Sequence, residues 1–355
     1  MSLKICVYAI SLNEEKHAER FAKAAQDADL IFVADTGSTD KTVEILEANG
    51  VVVKHIRIKP WRFDDARNAC LAMIPEDIDV CFSLDLDEVL QPGWREEVER
   101  CWVPGTTRMQ YGFDWGAGIV FGYQKMHSRF GYRWHHPCHE YPVPDRIEEK
   151  WVFTDTLLNV HKPDPTKSRG QYLDLLRVSI EEDPLCPRNA FYYGRELSFV
   201  GRWEDAIKEC KRYLDLPRAT WPNERCYAMR VIGKCYREMG KIDEALSWFR
   251  RASAEAPHTR EPWCELALTC YMIGRWEECY GAAITCLAIT QRELVYTIDP
   301  EVWGAKPHDL AAIAAWHLKL YDLAKKHAQD AVDLAPDDLR LRNNLKAISE
   351  GAKAA

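Results

Sequence analysis

The chain has 355 residues, 47 Lys+Arg against 55 Asp+Glu for a formal net charge of −8, with 47% hydrophobic and 29% charged residues. That length accommodates two domains, each able to bury its own core, and the composition excludes disorder as the main state. The excess negative charge lies in the first 165 residues and the remainder is balanced, which disfavours a nucleic acid bound along a basic face and leaves room for a site that collects a cation.

No run approaches the roughly 18 uninterrupted apolar residues of a membrane span. The opening residues MSLKICVYAISLNEEK lack the flanks and cleavage site of a signal peptide. The expectation is a cytoplasmic protein with no integral membrane segment. The 13 Cys are scattered, as at Cys210, Cys235 and Cys270, and in a reducing compartment such residues serve as small buried apolar groups. The dense cluster His135-His136-Pro137-Cys138-His139 raises zinc as an alternative, weakened by Pro137 and by the lack of a second ligand pair at zinc-finger spacing.

From Lys4 to about Leu84, short apolar runs alternate with helical periodicity. Ile5 to Leu12 reads as a strand, Glu14 to Ala28 as a helix, Leu30 to Ala34 as a strand, and Lys41 to Ala48 as a helix stopped by Asn49-Gly50. Val51 to Ile58 is then a strand, Asp64 to Met73 a helix and Val80 to Leu84 a fourth strand. Apolar strands without clean alternation, joined by helices, predict a mostly parallel sheet covered on both faces, with ligands beyond the carboxyl ends of its strands. Residues 105 to 161 turn rich in Gly and aromatics, with short strands expected at Arg108 to Phe113, Ile119 to Lys125 and Leu157 to Val160. Pro163, Pro165 and Gly170 mark a boundary, giving an α/β domain over 1–165 and an all-α domain over 170–355.

The second domain repeats. Gly201-Arg202-Trp203 with Ala206, Gly240-Lys241-Ile242 with Ala245, Gly274-Arg275-Trp276 with Cys279 and Lys319-Leu320-Tyr321 with Ala324 share one frame, and Pro217, Pro257 and Pro336 close three of the repeats. A period near 34, with a turn glycine and a small residue in the second helix, resembles the tetratricopeptide repeat.

The strand ends carry the chemistry. The first strand runs into Ser11-Leu12-Asn13-Glu14 and the second into Asp35-Thr36-Gly37-Ser38-Thr39-Asp40. The third leads to Phe63-Asp64-Asp65-Ala66-Arg67-Asn68 and the fourth into Asp85-Leu86-Asp87-Glu88. Two carboxylates at i and i+2 behind a buried strand point to the same side, and Mg²⁺ or Mn²⁺ needs only one or two carboxylates alongside substrate phosphates. Asp35 has a second role available to it, entry to the following helix through an Asx turn; Arg67 has phosphate binding, ordering of the Asp cluster or a surface salt bridge.

In this order and at these spacings the four motifs resemble glycosyltransferase family 2, nucleotide-sugar-dependent enzymes of the Rossmann-like GT-A fold. The resemblance covers about residues 3 to 161. It implies a donor pocket including Ser11, Asn13, Glu14, Asp35, Arg67, Asn68 and Asp85, with Asp35 on a uracil ring. It implies Mn²⁺ or Mg²⁺ held directly by Asp87, with Asp85 nearer the ribose or a metal-bound water, and His161 completing the sphere. Tyr132 to Glu140 resembles the His-Glu region of lipopolysaccharide-type members, which makes Glu140 the candidate general base, with Asp114 and Asp145 as alternatives.

The expected activity is metal-dependent, inverting transfer from a nucleotide diphosphate donor, a UDP-sugar, to an acceptor. The two-part architecture also resembles bacterial peptide S-glycosyltransferases, and the expected acceptor is a polypeptide, with a cell-envelope glycan as its main competitor; a homodimer stays open. A different class of function is a non-catalytic, nucleotide-sugar-binding scaffold built on the repeats. A nucleotidyltransferase is disfavoured, because SLNEEKH is not a phosphate loop rich in Gly and Lys/Arg.

Overall fold

The computed structural model describes residues 3–116, 118–164 and 170–351; Pro165, one of the expected boundary residues, lies outside them. The chain forms two compact units, one of residues 1–179 with 294–296 and the other of residues 180–293 with 297–355.

In the first unit, β1 (Ile5–Ser11), α1 (Glu15–Ala24), β2 (Leu30–Asp35), α2 (Thr42–Ala48), β3 (Val52–His55), α3 (Phe63–Met73) and β4 (Val80–Ser83) follow in the expected alternation. Then come β5 (Glu88–Leu90), α4 (Trp94–Cys101), β6 (Arg108–Gly116), β7 (Ile119–Ser128), β8 (Tyr132–His135), β9 (Tyr141–Pro144) and β10 (Trp151–His161). Eight strands make one sheet in the order β3-β2-β1-β4-β7-β6-β10-β5, and β8 and β9 pair separately. The first four strands are mutually parallel; β7 runs against both β4 and β6, and β10 is parallel to β6. The carboxyl ends of β1, β2, β4, β6 and β10 therefore share one edge of the sheet, where ligands settle in α/β folds.

β1 explains the absence of alternation. Ile5, Val7 and Ala9 pack into a core with Phe21, Leu46 and Phe82, while Cys6 and Tyr8 enter a second core with Phe32, Cys70, Cys81 and Trp134. Both faces of the strand are buried, so both sets of positions are apolar. β3, at the sheet edge, is shorter than its apolar run suggests, with Val52 exposed.

The division between units falls within α5 (Tyr172–Glu182). The second unit then pairs α6 (Pro187–Phe199) with α7 (Trp203–Leu214), α8 (Pro222–Glu238) with α9 (Ile242–Glu255), α10 (Glu261–Met272) with α11 (Trp276–Ala288), and α12 (Lys306–His317) with α13 (Tyr321–Leu334), before α14 (Leu339–Gly351). A short 3-10 turn, Pro300–Trp303, lies between α11 and α12.

One device ends the first helix of each pair. Arg202 N donates to Leu197 O at 3.0 Å, while Lys241 N to Tyr236 O, Arg275 N to Cys270 O and Leu320 N to Ala315 O all span 2.9 Å. The residue before each donor is left-handed: Gly201 at φ 75°, Gly240 at 72°, Gly274 at 70° and Lys319 at 62°. These are Schellman closures, for which glycine is the unstrained residue. The tetratricopeptide frame in the sequence is the record of this cap.

Candidate functional site

At the ends of β1 and β2 the chain builds a cross-linked platform. Ser11 Oγ donates to Asp35 Oδ1 at 3.0 Å, and the N–H groups of Gly37 and Ser38 donate to Asp35 Oδ2 at 3.0 and 2.9 Å. Ser38 Oγ adds a 2.5 Å bond to Oδ1. Burial acts to raise the pKa of the Asp35 carboxyl, but the donors of Ser38, Gly37 and Ser11 outweigh it and hold the group below its ordinary value. Asp35 is fully buried and makes the turn that sequence reasoning allowed it. The neighbouring loop is tied to this one: Asn13, left-handed at φ 54°, accepts from Thr39 N at 2.8 Å and donates its own N–H to Ser38 Oγ at 2.9 Å, and Glu14 N donates to Thr42 Oγ1 at 2.6 Å.

Arg67, near the start of α3, is the hub of a second cluster. Its Nε donates to Glu140 Oε1 at 2.5 Å, Nη1 to Ser83 Oγ at 3.1 Å and Nη2 to Asp85 Oδ1 at 2.5 Å, with the guanidinium 4.8 Å from the Trp134 ring centroid. Burial works against the charge, yet Asp85 and Glu140 hold the Arg67 pKa well above its usual value. Removing the guanidinium would strand the Glu140 carboxylate, whose side chain is 9% exposed, and unpairing a buried charge costs about 3–5 kcal/mol. Asp85, with its side chain 41% exposed, adds less because water screens it.

Lys125 Nζ reaches Asp85 Oδ2 at 3.1 Å and Glu88 Oε1 at 3.4 Å. Burial opposes ionisation of Asp85, but Arg67 and Lys125 prevail and keep it well below the carboxylate range. Glu88, held by Asn159 Nδ2 at 2.8 Å, has its pKa raised by burial to about 7.

His161 closes β10 opposite Glu88 of β5, and its Nε2 lies 3.3 Å from Asp87 Oδ2. Trp115 covers the imidazole at 4.4 Å between centroids. Burial lowers the His161 pKa, but the hydrogen bond and charge of Asp87 override it and raise the value. The 3.3 Å separation is that of an ion pair, and the same two side chains are the ones that could hold a divalent cation in place of the imidazole proton, since two ligands of one cation stand about 3 Å apart. Asp85 does not join them within 4.8 Å as a three-ligand set among the described residues, because both its oxygens face Arg67 and Lys125.

The other expected residues divide plainly. Asn68 Nδ2 donates to Trp134 O and its Oδ1 accepts from Trp134 N, both at 2.9 Å, so the amide grips the protein's own backbone. Asp114, near the carboxyl end of β6, accepts from Gly116 N at 2.8 Å, and Asp145 is exposed beside Arg146. The segment 135–139 forms no three-ligand metal group among the described residues; Cys138 there is buried, and His136 and His139 have left-handed backbone. Sequence reasoning missed Lys125, whose signal was a lysine inside an aromatic strand, and Ser83, the one polar residue of β4.

Residues 6–101 match the family model Glycosyl transferase family 2. They carry a family 2 glycosyl transferase domain. The match holds Ser11, Asp35, Arg67, Asp85 and Asp87 of the site and ends before Glu140 and His161. No curated protein matches the chain. Solved structures with some likeness include MamA 41-end from Desulfovibrio magneticus RS-1 (18% identity, 48% of this chain and 87% of that one, TM-score 0.38). Others are Pseudomonas aeruginosa pilF (16%, 50% and 72%, 0.39) and the first TPR domain of the human RPAP3 protein (17%, 37% and 95%, 0.32). The helical repeat that follows the glycosyl transferase domain is identified by its recurring caps and paired helices.

Proposed function

We propose that this protein transfers a sugar from a nucleotide diphosphate donor, a UDP-sugar, to a polypeptide acceptor with inversion at the anomeric carbon. One observation carries the reading: a family 2 glycosyl transferase domain whose sheet gathers the Arg67 cluster and the Asp87–His161 pair at the carboxyl ends of its strands.

The roles follow from the donor groups. The acceptor nucleophile attacks the anomeric carbon as the bond from that carbon to the diphosphate oxygen breaks, and its proton passes to Glu140. Arg67 takes Oε1 of that carboxylate, and Oε2 is the oxygen assigned to the proton. Asp87 and His161 would hold Mn²⁺ or Mg²⁺, which when bound neutralises charge on the leaving diphosphate. Asp35 shapes the base pocket beside Ser11. The paired helices of the second unit recruit the acceptor, as stacked repeats do for extended chains.

The test is thermal shift with UDP-, GDP- and dTDP-sugars, with and without Mn²⁺, followed by UDP release. UDP-sugar with Mn²⁺ is expected to stabilise the fold and to be turned over, and Asp87→Ala to lose both while keeping its circular dichroism. Normal turnover by Asp87→Ala with the same Mn²⁺ dependence overturns the cation assignment. Binding without UDP release identifies the scaffold.

A further inference from the structure

A cluster in the last helix pair has no part in glycosyl transfer. His308 of α12 and His327 and Asp330 of α13 converge between the two helices: His308 Nδ1 is 3.4 Å from His327 Nδ1 and 3.5 Å from Asp330 Oδ2, and His327 Nδ1 is 4.0 Å from the same carboxylate. Among the described residues this is the one group of three His, Cys, Asp or Glu side chains whose ligand atoms all lie within 4.8 Å. His327 is buried at 8% exposure, while the side chains of His308 and Asp330 are 20% and 36% exposed, so the cluster opens to solvent on one side.

Hydrogen bonding accounts poorly for this arrangement. The 3.4 Å between the two ring nitrogens is long beside the roughly 2.7–3.2 Å of ordinary N–H···O bonds, so at most one ring donates, and weakly, to the other. A tetrahedral ion with ligand atoms about 2.0–2.1 Å away sets those atoms roughly 3.3–3.4 Å apart. Two of the three observed separations are within about 0.2 Å of that edge, and the third closes with a small rotation of Asp330. Cations nearby do not take the carboxylate's place. Arg260 donates to Ile289 O at 2.7 Å and lies over Trp303, Lys326 is exposed, and Asp330 is ion-paired among the described residues with the two imidazoles alone.

We propose that His308, His327 and Asp330 bind a divalent transition-metal ion, with Zn²⁺ the ion suited to two imidazoles and one carboxylate and water in the fourth position. The site bridges α12 and α13 across the strained turn at Lys319. Because the unfolded chain lacks it, metal affinity adds to the stability of this end of the array.

The experiment is calorimetric titration of the full chain with Zn²⁺, paired with thermal unfolding, in an Asp87→Ala background that silences the other cation pair. Eleven of the thirteen cysteines are buried, and the partly buried Cys101 and Cys186 lie outside this helix pair. One equivalent of Zn²⁺ is expected to bind and to raise Tm, with Mg²⁺ doing neither. His308→Gln and Asp330→Asn, both at partly exposed positions, should each weaken binding at least tenfold, remove the Zn²⁺-dependent rise in Tm and leave the circular dichroism unchanged. Substitution with Co²⁺ should give the visible absorption of a four-coordinate ion, lost in His308→Gln. Equal Zn²⁺ stoichiometry and Tm rise in parent and both variants, or no Zn²⁺ bound by the parent, overturns the site.

Discussion

The side-chain amide of Asn68 satisfies both backbone polar groups of Trp134, at 2.9 Å each. It acts as one rung of sheet between α3 and β8, and it fixes the strand that leads to Glu140. Trp134 in turn donates its indole N–H to Tyr8 OH at 2.8 Å. Asn68→Ala takes these partners from the backbone N–H and C=O of buried Trp134, which costs about 1–3 kcal/mol. The expected outcome is a stability loss of that size with transfer reduced more than UDP affinity, read from urea unfolding and from calorimetry beside initial rates.

Glu140→Gln keeps the shape of the side chain and an oxygen for Arg67 but cannot take a proton. Transfer should fall by about 10² to 10⁴ with UDP binding retained. A variant that transfers at the wild-type rate moves the base to Asp114, the alternative at the carboxyl end of a sheet strand.

Acid sensitivity should trace partly to His127. It lies between Tyr8 OH, 2.9 Å from Nε2, and Ser128 O, 2.8 Å from Nδ1, and burial lowers its pKa from 6.5 to about 4. The unfolded chain therefore takes up the proton first. Its contribution is complete above about pH 6.5 and is lost as pH falls toward 4, on the order of 3 kcal/mol in all. His127→Gln should flatten that part of the stability curve while lowering stability at pH 7, as urea titrations across this range would show.

Lys319 occupies the left-handed cap position that glycine fills in the three preceding pairs. A side chain there costs roughly 1 kcal/mol, part of which glycine returns through its freer unfolded chain. Lys319→Gly should raise stability by about 0.5–1 kcal/mol, measured by chemical denaturation.

Gly233 shows the opposite constraint. A Cβ there would come within 2.5 Å of Phe249 Cε1, a ring that is fully buried. Alanine gains about 1 kcal/mol in helix propensity, but forcing that ring to move costs about 1–3 kcal/mol. Gly233→Ala should therefore be neutral to destabilising by up to about 2 kcal/mol, in spite of its better propensity.

Much of the first unit was legible because burial on both faces leaves unbroken apolar runs, as in β1 and β4. The Schellman glycines were legible for a similar reason, since one backbone conformation demands one residue type. β5 was hidden by its length of three residues and its overlap with the Asp85-Leu86-Asp87-Glu88 motif. β8 read as part of a site segment, since Tyr132–His135 alternates Tyr and Trp with Arg and His, and β9, Tyr141–Pro144, was obscured by its two prolines. The expected strand at Leu157 to Val160 is the end of β10, whose pairing with β6 is interrupted between Phe153 and Leu158. In the site, Asp87 and His161 were paired on the resemblance. The partnership of Asp85 with Lys125 was invisible, because it depends on which strands lie side by side in a sheet whose order departs from chain order.

The platform after β1 and β2 has its own bearing on binding. Its two loops exchange bonds at Asn13, Glu14, Ser38 and Thr42, and Asp40 receives Glu15 N at 3.1 Å. On the proposed function, a nucleotide settling there would immobilise little that was free, and its affinity would be spared the entropy of ordering a loop. On that same reading the cross-linked loops would also sharpen discrimination: a base of the wrong outline would meet a floor braced by its own hydrogen bonds, and selectivity would follow from that bracing as much as from any single contact.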